Sequence, residues 1–555
     1  TWQLSDNLTF SLKSHTISAG VNFEHFRFLN VFTPFAYGRY GFNSLSDFYT
    51  AARAFITNPN LTTSPVQLNN YRLQYSALPG AALYDASLRA NSIGAYVQDE
   101  FTPDENFRIT YGFRVDMPFF KNPNPQANDS VAAYTFKDEL GNNIKLNTTS
   151  LPGNNLLFSP RAGFNWDVNG NKTTQIRGVV GLYAGRPAFV WISNMLSNNG
   201  VQAGLINNSG SGANSNPFNT DVTRYIPTNV TIPAPSYNIA PIDKNFKFPQ
   251  LFRGNLAVDQ QLGNGIIATV EGLVSHDVNN VGYINANLTN AIGSMPGPDK
   301  RPIYNSYNAA APIAGAPNDR RTFRASTTNF LRVNSKVTDA ILLKNINGGY
   351  SYALTVKIEK PYTKGINWML AYNYGVAQDF ISAGSIAFSS WADNFSIRGN
   401  NQPDLAYSNN DQRHRLIGNI GYRKEVFNTA AFSVNLFGEA RNLGRYSYTY
   451  AGDMNGDGNG NNDLIFVPAN TAAMNFVDWI DMRNTTDQTK WITYTAQQQK
   501  DAFEAYINQD DYLKNRRGQF AERNGVLLPW ILRFDLSATL EFFRKINGER
   551  HTIQL

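Results

Sequence analysis

One short stretch holds the residues best suited to chemistry. Asp453, Asn455 and Asp457 alternate with Met454 and Gly456, and Gly458 and Asn459 lead on to Asn461 and Asp463. Oxygen-bearing side chains at the first, third and fifth places of a loop, with glycine at the sixth, open an EF-hand-like calcium loop. Alternate residues there point at one cation and the glycine permits a sharp turn. The twelfth place, where such loops carry a bidentate Glu, is Leu464, so Asp463 beside it would have to take over that role. The expectation is a structural Ca2+ held by Asp453, Asn455, Asp457, Asn459 and Asp463, because oxygen ligands without an adjacent base suit loop ordering better than catalysis. The competing reading is a flexible Asn/Gly/Asp turn.

Catalysis has no comparable foothold, and a non-enzyme is expected. The histidines stand at 15, 25, 276, 414 and 551, with neither a G-x-S-x-G elbow nor an H-E-x-x-H pair. His414, between Arg413 and Arg415 on a predicted strand, reads as a wall residue rather than a general base. Gly456, Gly458 and Gly460 do not follow a βαβ pattern, which argues against a phosphate loop.

The elements that must position these residues are strands. Phe107, Ile109, Tyr111, Phe113 and Val115 alternate with Arg108, Thr110, Gly112, Arg114 and Asp116, the period of a strand with one apolar and one polar face. The same alternation runs through 350–359, 366–374 and 532–542. The strands pair into hairpins: 8–12 with 17–23 around Lys13-Ser14, 156–168 with 173–182 around Asn169-Gly170-Asn171, and 256–262 with 266–274 around Gly263-Asn264-Gly265. Another turn is expected at Lys364-Gly365, and 413–423 pairs with 430–441 through a turn near Asn428. Between hairpins lie Asn-, Pro-, Ser- and Gly-rich connections at 118–155, 186–245, 286–349, 378–412 and 442–528. Short turns at one end and long loops at the other are the asymmetry of an outer-membrane barrel. Soluble sandwiches and propellers use strands of about five or six residues and rarely such long loops. The expected fold is therefore all-β, a large transmembrane antiparallel β-barrel.

That fold explains the composition. Only 16% of the residues are charged against 13% aromatic, because outward positions meet lipid, where a Lys or Arg costs about 2–4 kcal/mol at mid-membrane. Arg108, Arg114, Glu271, Lys357, Arg415, Arg423, Glu439, Arg533, Asp535 and Glu541 are expected to face the lumen. The net charge of +6 over 555 residues, without like-charge runs, leaves no nucleic-acid footprint. Two helices are expected in the loops: 45–56 behind Ser44, and 495–507. The aromatic residues Tyr37–Tyr40, Trp191, Tyr225, Tyr237 and Tyr446–Tyr450 read either as stacking surfaces for sugars or peptides or as interfacial girdle.

Several strings resemble the TonB-dependent outer-membrane receptors, in particular the Oar-like, SusC-related group of Bacteroidota. They are Ser14-His15-Thr16 before Gly20-Val21-Asn22-Phe23-Glu24, Tyr96-Val97-Gln98-Asp99-Glu100-Phe101, Phe158-Ser159-Pro160-Arg161-Ala162-Gly163-Phe164 and Arg413-His414-Arg415. The series continues with Gly452-Asp453-Met454-Asn455-Gly456-Asp457-Gly458, Asn462-Asp463-Leu464-Ile465-Phe466-Val467-Pro468 and Gln519-Phe520-Ala521-Glu522-Arg523-Asn524-Gly525. The resemblance implies a Gram-negative outer-membrane, 22-stranded barrel closed by an N-terminal plug, importing a bulky nutrient of the oligosaccharide or peptide class. It also implies energising by TonB–ExbB–ExbD, contact with outer-membrane lipid and a surface lipoprotein partner, SusD-like or other. About 14 of the 22 strands are readable, so residues 1–555 are expected to form one incomplete barrel domain whose plug and C-terminal strands lie outside this sequence. The alternative is a non-transporting barrel serving as a platform for surface lipoproteins in an assembly or secretion complex.

Overall fold

A computed structural model of the chain describes all residues except 32, 34, 79–85, 187, 229–236, 296, 306–331, 364, 427–428, 475, 477, 482–490, 547–548 and 555. Fourteen long strands run consecutively through it. They are β1 Trp2–Leu12, β2 His15–Leu29, β3 Ser87–Asp104, β4 Phe107–Lys121, β5 Leu157–Asp167, β6 Thr174–Ala184 and β7 Gln250–Gly263. The series continues with β8 Ile266–Asn285, β9 Tyr350–Thr363, β10 Ile366–Asp379, β11 His414–Val426, β12 Ala430–Asn442, β13 Trp530–Ile546 and β14 Glu549–Gln554. Each pairs antiparallel with the next. Three strands from the loops, Tyr237–Ile239, Val337–Ile346 and Ala406–Tyr407, complete a sheet of seventeen, and among the described residues no pairing joins β1 to β14.

The hairpin turns sit where the dipeptides placed them. Leu12 faces His15 across Lys13-Ser14, and Gly263 faces Ile266 across Asn264-Gly265, whose φ values of 51° and 76° are the left-handed pair of a tight hairpin. Lys364 and Asn428 lie outside the described residues, but Thr363 pairs with Ile366 across Gly365. Gly365 has φ 83°, and a Cβ there would stand 2.4 Å from the Arg423 carbonyl oxygen. Gly365→Ala is therefore expected to cost about 1–3 kcal/mol, seen as a lower urea midpoint for unfolding.

Register then sorts the side chains. Val97, Phe113, Val270, Leu354, Val356, Leu370, Ile420 and Leu436 lie on the outward face, uncovered by protein, as a lipid-facing band requires. Inward residues meet one another across strands: Arg177 on β6, not among those expected there, reaches Asp259 on β7 at 3.0 Å and the expected Glu271 on β8 at 3.2 Å. Arg415 meets Glu439 at 2.7 Å, and Arg423 reaches over β12 to Glu541 at 3.1 Å. Asp6, opposite Val21 on the outward row, departs from the pattern, and so does Asp99. Asp99 lies opposite Tyr111 on the outward row, bonded to His15 and the Tyr111 hydroxyl at 2.7 Å each. It sits near the short-turn end, where charge on the outer face costs only about 0–1 kcal/mol.

Six long connections emerge from the opposite end, at 30–86, 122–156, 185–249, 286–349, 380–413 and 443–529. Five match the expected loops. The sixth, 30–86, was not among them, although its helix was: Leu45–Thr57 begins at Ser44, whose hydroxyl accepts from Asp47 N–H. The other expected helix is Ala496–Gln509, behind Thr495 in a capping box with Gln498. The loops carry their own cores. Ile192, Met195, Leu196, Phe246, Tyr283 and Trp391 pack together, joining 185–249, the upper part of β8 and 380–413.

Candidate functional site

Two places bring polar groups together above and inside the wall. The first is a lumen cavity lined by Asn22, Glu24, Phe26, Arg114, Asp116, Arg186 and Phe189. The strand period puts Asn22, Glu24 and Phe26 on one row of β2, and Arg114 and Asp116 on the matching row of β4. Arg114 grips Asp116 with two bonds, 2.6 and 2.8 Å, and donates to Asn22 at 2.7 Å. Gly94 makes room for that network, since a Cβ there would come within 2.5 Å of all three side chains. Arg186, at the start of a loop, pairs with the buried Glu24, and its guanidinium lies 5.3 Å over the Phe26 ring. The cavity thus offers a cation, carboxylates, an amide and two phenyl faces, a set suited to holding a polar ligand by hydrogen bonds and stacking.

The second place is the loop 453–463. Asp453 accepts from Gly456 N–H at 2.6 Å and Gly458 N–H at 2.9 Å. Asn455 accepts from Asp457 N–H, and Asp457 Oδ1 from Asn459 N–H, both at 2.9 Å. Asp463 closes the loop by accepting from Met454 N–H at 2.7 Å. Gly456 and Gly458, at φ 76° and 100°, supply the turns. The sequence-predicted residues are therefore gathered, and Asn455, Asp457 and Asp463 have no exposed surface. Asn461 instead stands outside, capping Gly452 N–H at 3.0 Å. Among the described residues no three His, Cys, Asp or Glu side chains converge closely enough to hold a metal by themselves.

Burial dominates the electrostatics of this loop. It raises the Asp457 carboxyl well above the usual range, and the neighbouring Asp453 and Asp463 carboxylates push the same way. Burial lifts Asp463 to about 6 against the pull of Arg301. Asp453 is raised for the same first cause, offset by its backbone bonds to Gly458 and Gly456.

Sequence reasoning missed the partners that arrive from other loops. Arg301 is fully buried and donates to Asp463 at 3.1 Å and to the Leu464 carbonyl at 2.6 Å. Arg332 donates to the Asp457 carbonyl at 3.0 Å, and Tyr304 N–H to that of Asn455 at 2.7 Å. No local signal points from Arg301 or Arg332 to this loop, because the loop residues they meet lie more than a hundred residues away.

The loop aromatics are mostly structural. Tyr40 packs at tilted angles against Tyr71 and Phe218, and the Tyr225 hydroxyl donates to the Pro217 carbonyl at 2.6 Å. Tyr237 packs against a second loop core and Tyr448 and Tyr450 against a third, while Trp191 Nε1 donates to the Gly384 carbonyl. Burying these rings is how long loops acquire cores of their own; Tyr37 is largely free, at 79% exposure. His414 sits in the wall, 2.7 Å from the Tyr372 hydroxyl and stacked on Trp530 near the loop end.

No curated protein sequence matches the chain. Among solved structures it is similar to the siderophore receptor PirA of Acinetobacter baumannii, with 9% identity, TM-score 0.38, 99% of this chain and 49% of that one covered. A ferric enterobactin receptor, PfeA, of Pseudomonas aeruginosa matches at 8% identity, TM-score 0.38, over 82% of this chain and 42% of that one. The FrpB iron transporter of Neisseria meningitidis matches at 9%, TM-score 0.37, over 79% and 43%. The chain thus spans less than half the length of these receptors. A family model described as outer membrane beta barrel domain matches residues 1–555. With its consecutive antiparallel wall, apolar outside and charged within, the chain belongs to the outer membrane beta-barrel domain family.

Proposed function

We propose that this barrel belongs to an outer-membrane importer that is energised through TonB–ExbB–ExbD and takes up a bulky polar nutrient, an oligosaccharide or a peptide. The observation that carries this reading is the lumen cavity under the loops. Arg114, Asp116, Glu24 and Arg186 present both hydrogen-bonding signs beside Phe26 and Phe189, a combination that serves hydroxyl-rich or amide-rich ligands. The packed loops above it supply the entrance.

The test compares uptake of labelled oligosaccharides and peptides in cells lacking this barrel, lacking TonB, or carrying Arg114→Ala with Arg186→Ala. One nutrient should lose uptake about tenfold or more in both deletions, and the double variant should raise its half-saturation concentration. Uptake of every nutrient unchanged without TonB would remove the importer reading. A growth defect in the barrel deletion alone would then favour the platform for surface lipoproteins.

A further inference from the structure

We propose that residues 453–463 bind one Ca2+ at the Asp457 carboxylate, and that the ion locks three extracellular loops into a single cap. The site stands apart from the importer reading and rests on different residues.

Asp457 is fully buried, and its Oδ2 has no hydrogen-bond partner, while its Oδ1 is held by Asn459 N–H. A carboxylate oxygen sealed from water without a donor is among the costliest groups a fold can carry. Its surroundings make matters worse rather than better. Among the described residues, Asp299, Asp339, Asp453, Asp457 and Asp463 cluster around two guanidinium groups, Arg301 and Arg332. Both cations are already engaged, Arg301 with Asp299 and Asp463, and Arg332 with Asp339 at 3.1 Å and the Asp457 carbonyl.

The same loop leaves Asn455 Nδ2 and Asn459 Nδ2 buried without acceptors. Amide nitrogen and oxygen exchange places by rotation of the side chain, so Asn459, beside Asp457, can turn an oxygen toward a cation. Since three carboxylates do not converge, the ligand set is mixed: the Asp457 carboxylate with amide and main-chain oxygens, and Asp453 and Asp463 adding negative charge around them. All-oxygen, irregular, flexible coordination is the chemistry of Ca2+ and not of Mg2+, which demands a near-ideal octahedron and keeps its waters.

The consequence reaches beyond this loop. Tyr304 and Arg332 of the loop 286–349 bond to the carbonyls of Asn455 and Asp457. From 380–413, Ser396 N–H donates to the Asn462 carbonyl, and Asn462 Nδ2 to that of Ala392, both at 3.1 Å. An ion that holds 453–463 in this shape therefore holds its neighbours too.

The purified full chain in detergent micelles, stripped with EDTA, is titrated with CaCl2 by calorimetry, and cleavage of loop 443–529 by a protease is timed in CaCl2 and in EDTA. One saturable site is expected, with cleavage slowed about ten- to a hundredfold at about 10 mM Ca2+, given the affinity usual for extracellular calcium modules. Asp457→Asn, which keeps shape but removes the charge, should abolish the calcium effect and be cleaved in EDTA no faster than the parent chain. The absence of calorimetric binding by the unmutated chain, equal cleavage with and without Ca2+, or equal protection by MgCl2 would each overturn the proposal.

Discussion

Arg301→Met should open the cap over the barrel while leaving the wall intact. The Arg301 side chain is 0% exposed and forms the hub of a buried network: Nε to Asp299 at 2.8 Å, Nη1 to Asp463 at 3.1 Å, Nη2 to the Leu464 carbonyl. Its guanidinium also lies 5.3 Å from each of the Tyr450 and Phe520 rings. A buried ion pair adds little net stability when formed, because desolvation consumes the Coulombic gain. Removing one partner is different, since it strands the other charge, at a cost of about 3–5 kcal/mol. Asp463 would be that stranded charge, itself fully buried. The measurement is protease cleavage within 443–529, expected to rise about a hundredfold or more as the loop opens. Arg301→Lys keeps a charge but loses the planar fork and should fall between. Cleavage at the rate of the unmutated chain would show that Arg301 does not hold the loop.

The wall should be just as sensitive, on one face only. Val356 sits on the outward row of β9, 47% exposed, whereas Thr355, one residue earlier, faces Glu271 of β8 across the lumen side. Val356→Lys places a cation against lipid and is expected to cost about 2–4 kcal/mol. Thr355→Lys places the same cation beside Glu271 and should change stability by no more than about 1 kcal/mol. Urea unfolding of each variant after refolding into lipid bilayers reads the difference directly. Equal losses at both positions would mean that the two rows do not face different media.

The contrast between neighbouring residues explains why so much of the fold was legible. Strand alternation and the Asn264-Gly265 turn are local properties, set by sterics within a few residues, and β7, β8 and their hairpin fall where the pattern put them. The loops 118–155, 186–245, 286–349, 378–412 and 442–528 came out within a few residues of the observed 122–156, 185–249, 286–349, 380–413 and 443–529 for the same reason. The loop 30–86 was harder to see, because β3 begins at Ser87 with the apolar Leu88 and Ala90 buried on its inward row, which blurs its alternation. The strand Val337–Ile346 was hidden likewise. Five consecutive residues of it, Asp339–Leu343, are buried against β8 and a loop core, leaving no polar face to mark a period.

The loop 453–463 divides along the same line. Alternating Asp and Asn with Gly458 at the turn is a local pattern, and the backbone follows it, with each side chain capping an amide two to five residues away. That Asp457 ends up fully buried, with one oxygen left alone, depends on Tyr304, Arg301, Arg332 and Ser396 arriving from distant loops. By itself, the sequence determined what short-range sterics and the lipid boundary can dictate: strand faces, turns, and which charges must look inward. Only the tertiary structure decided burial, partner and cost in the loops, because solvation and ion pairing depend on which remote residues share a volume, and spacing along the chain carries no record of that.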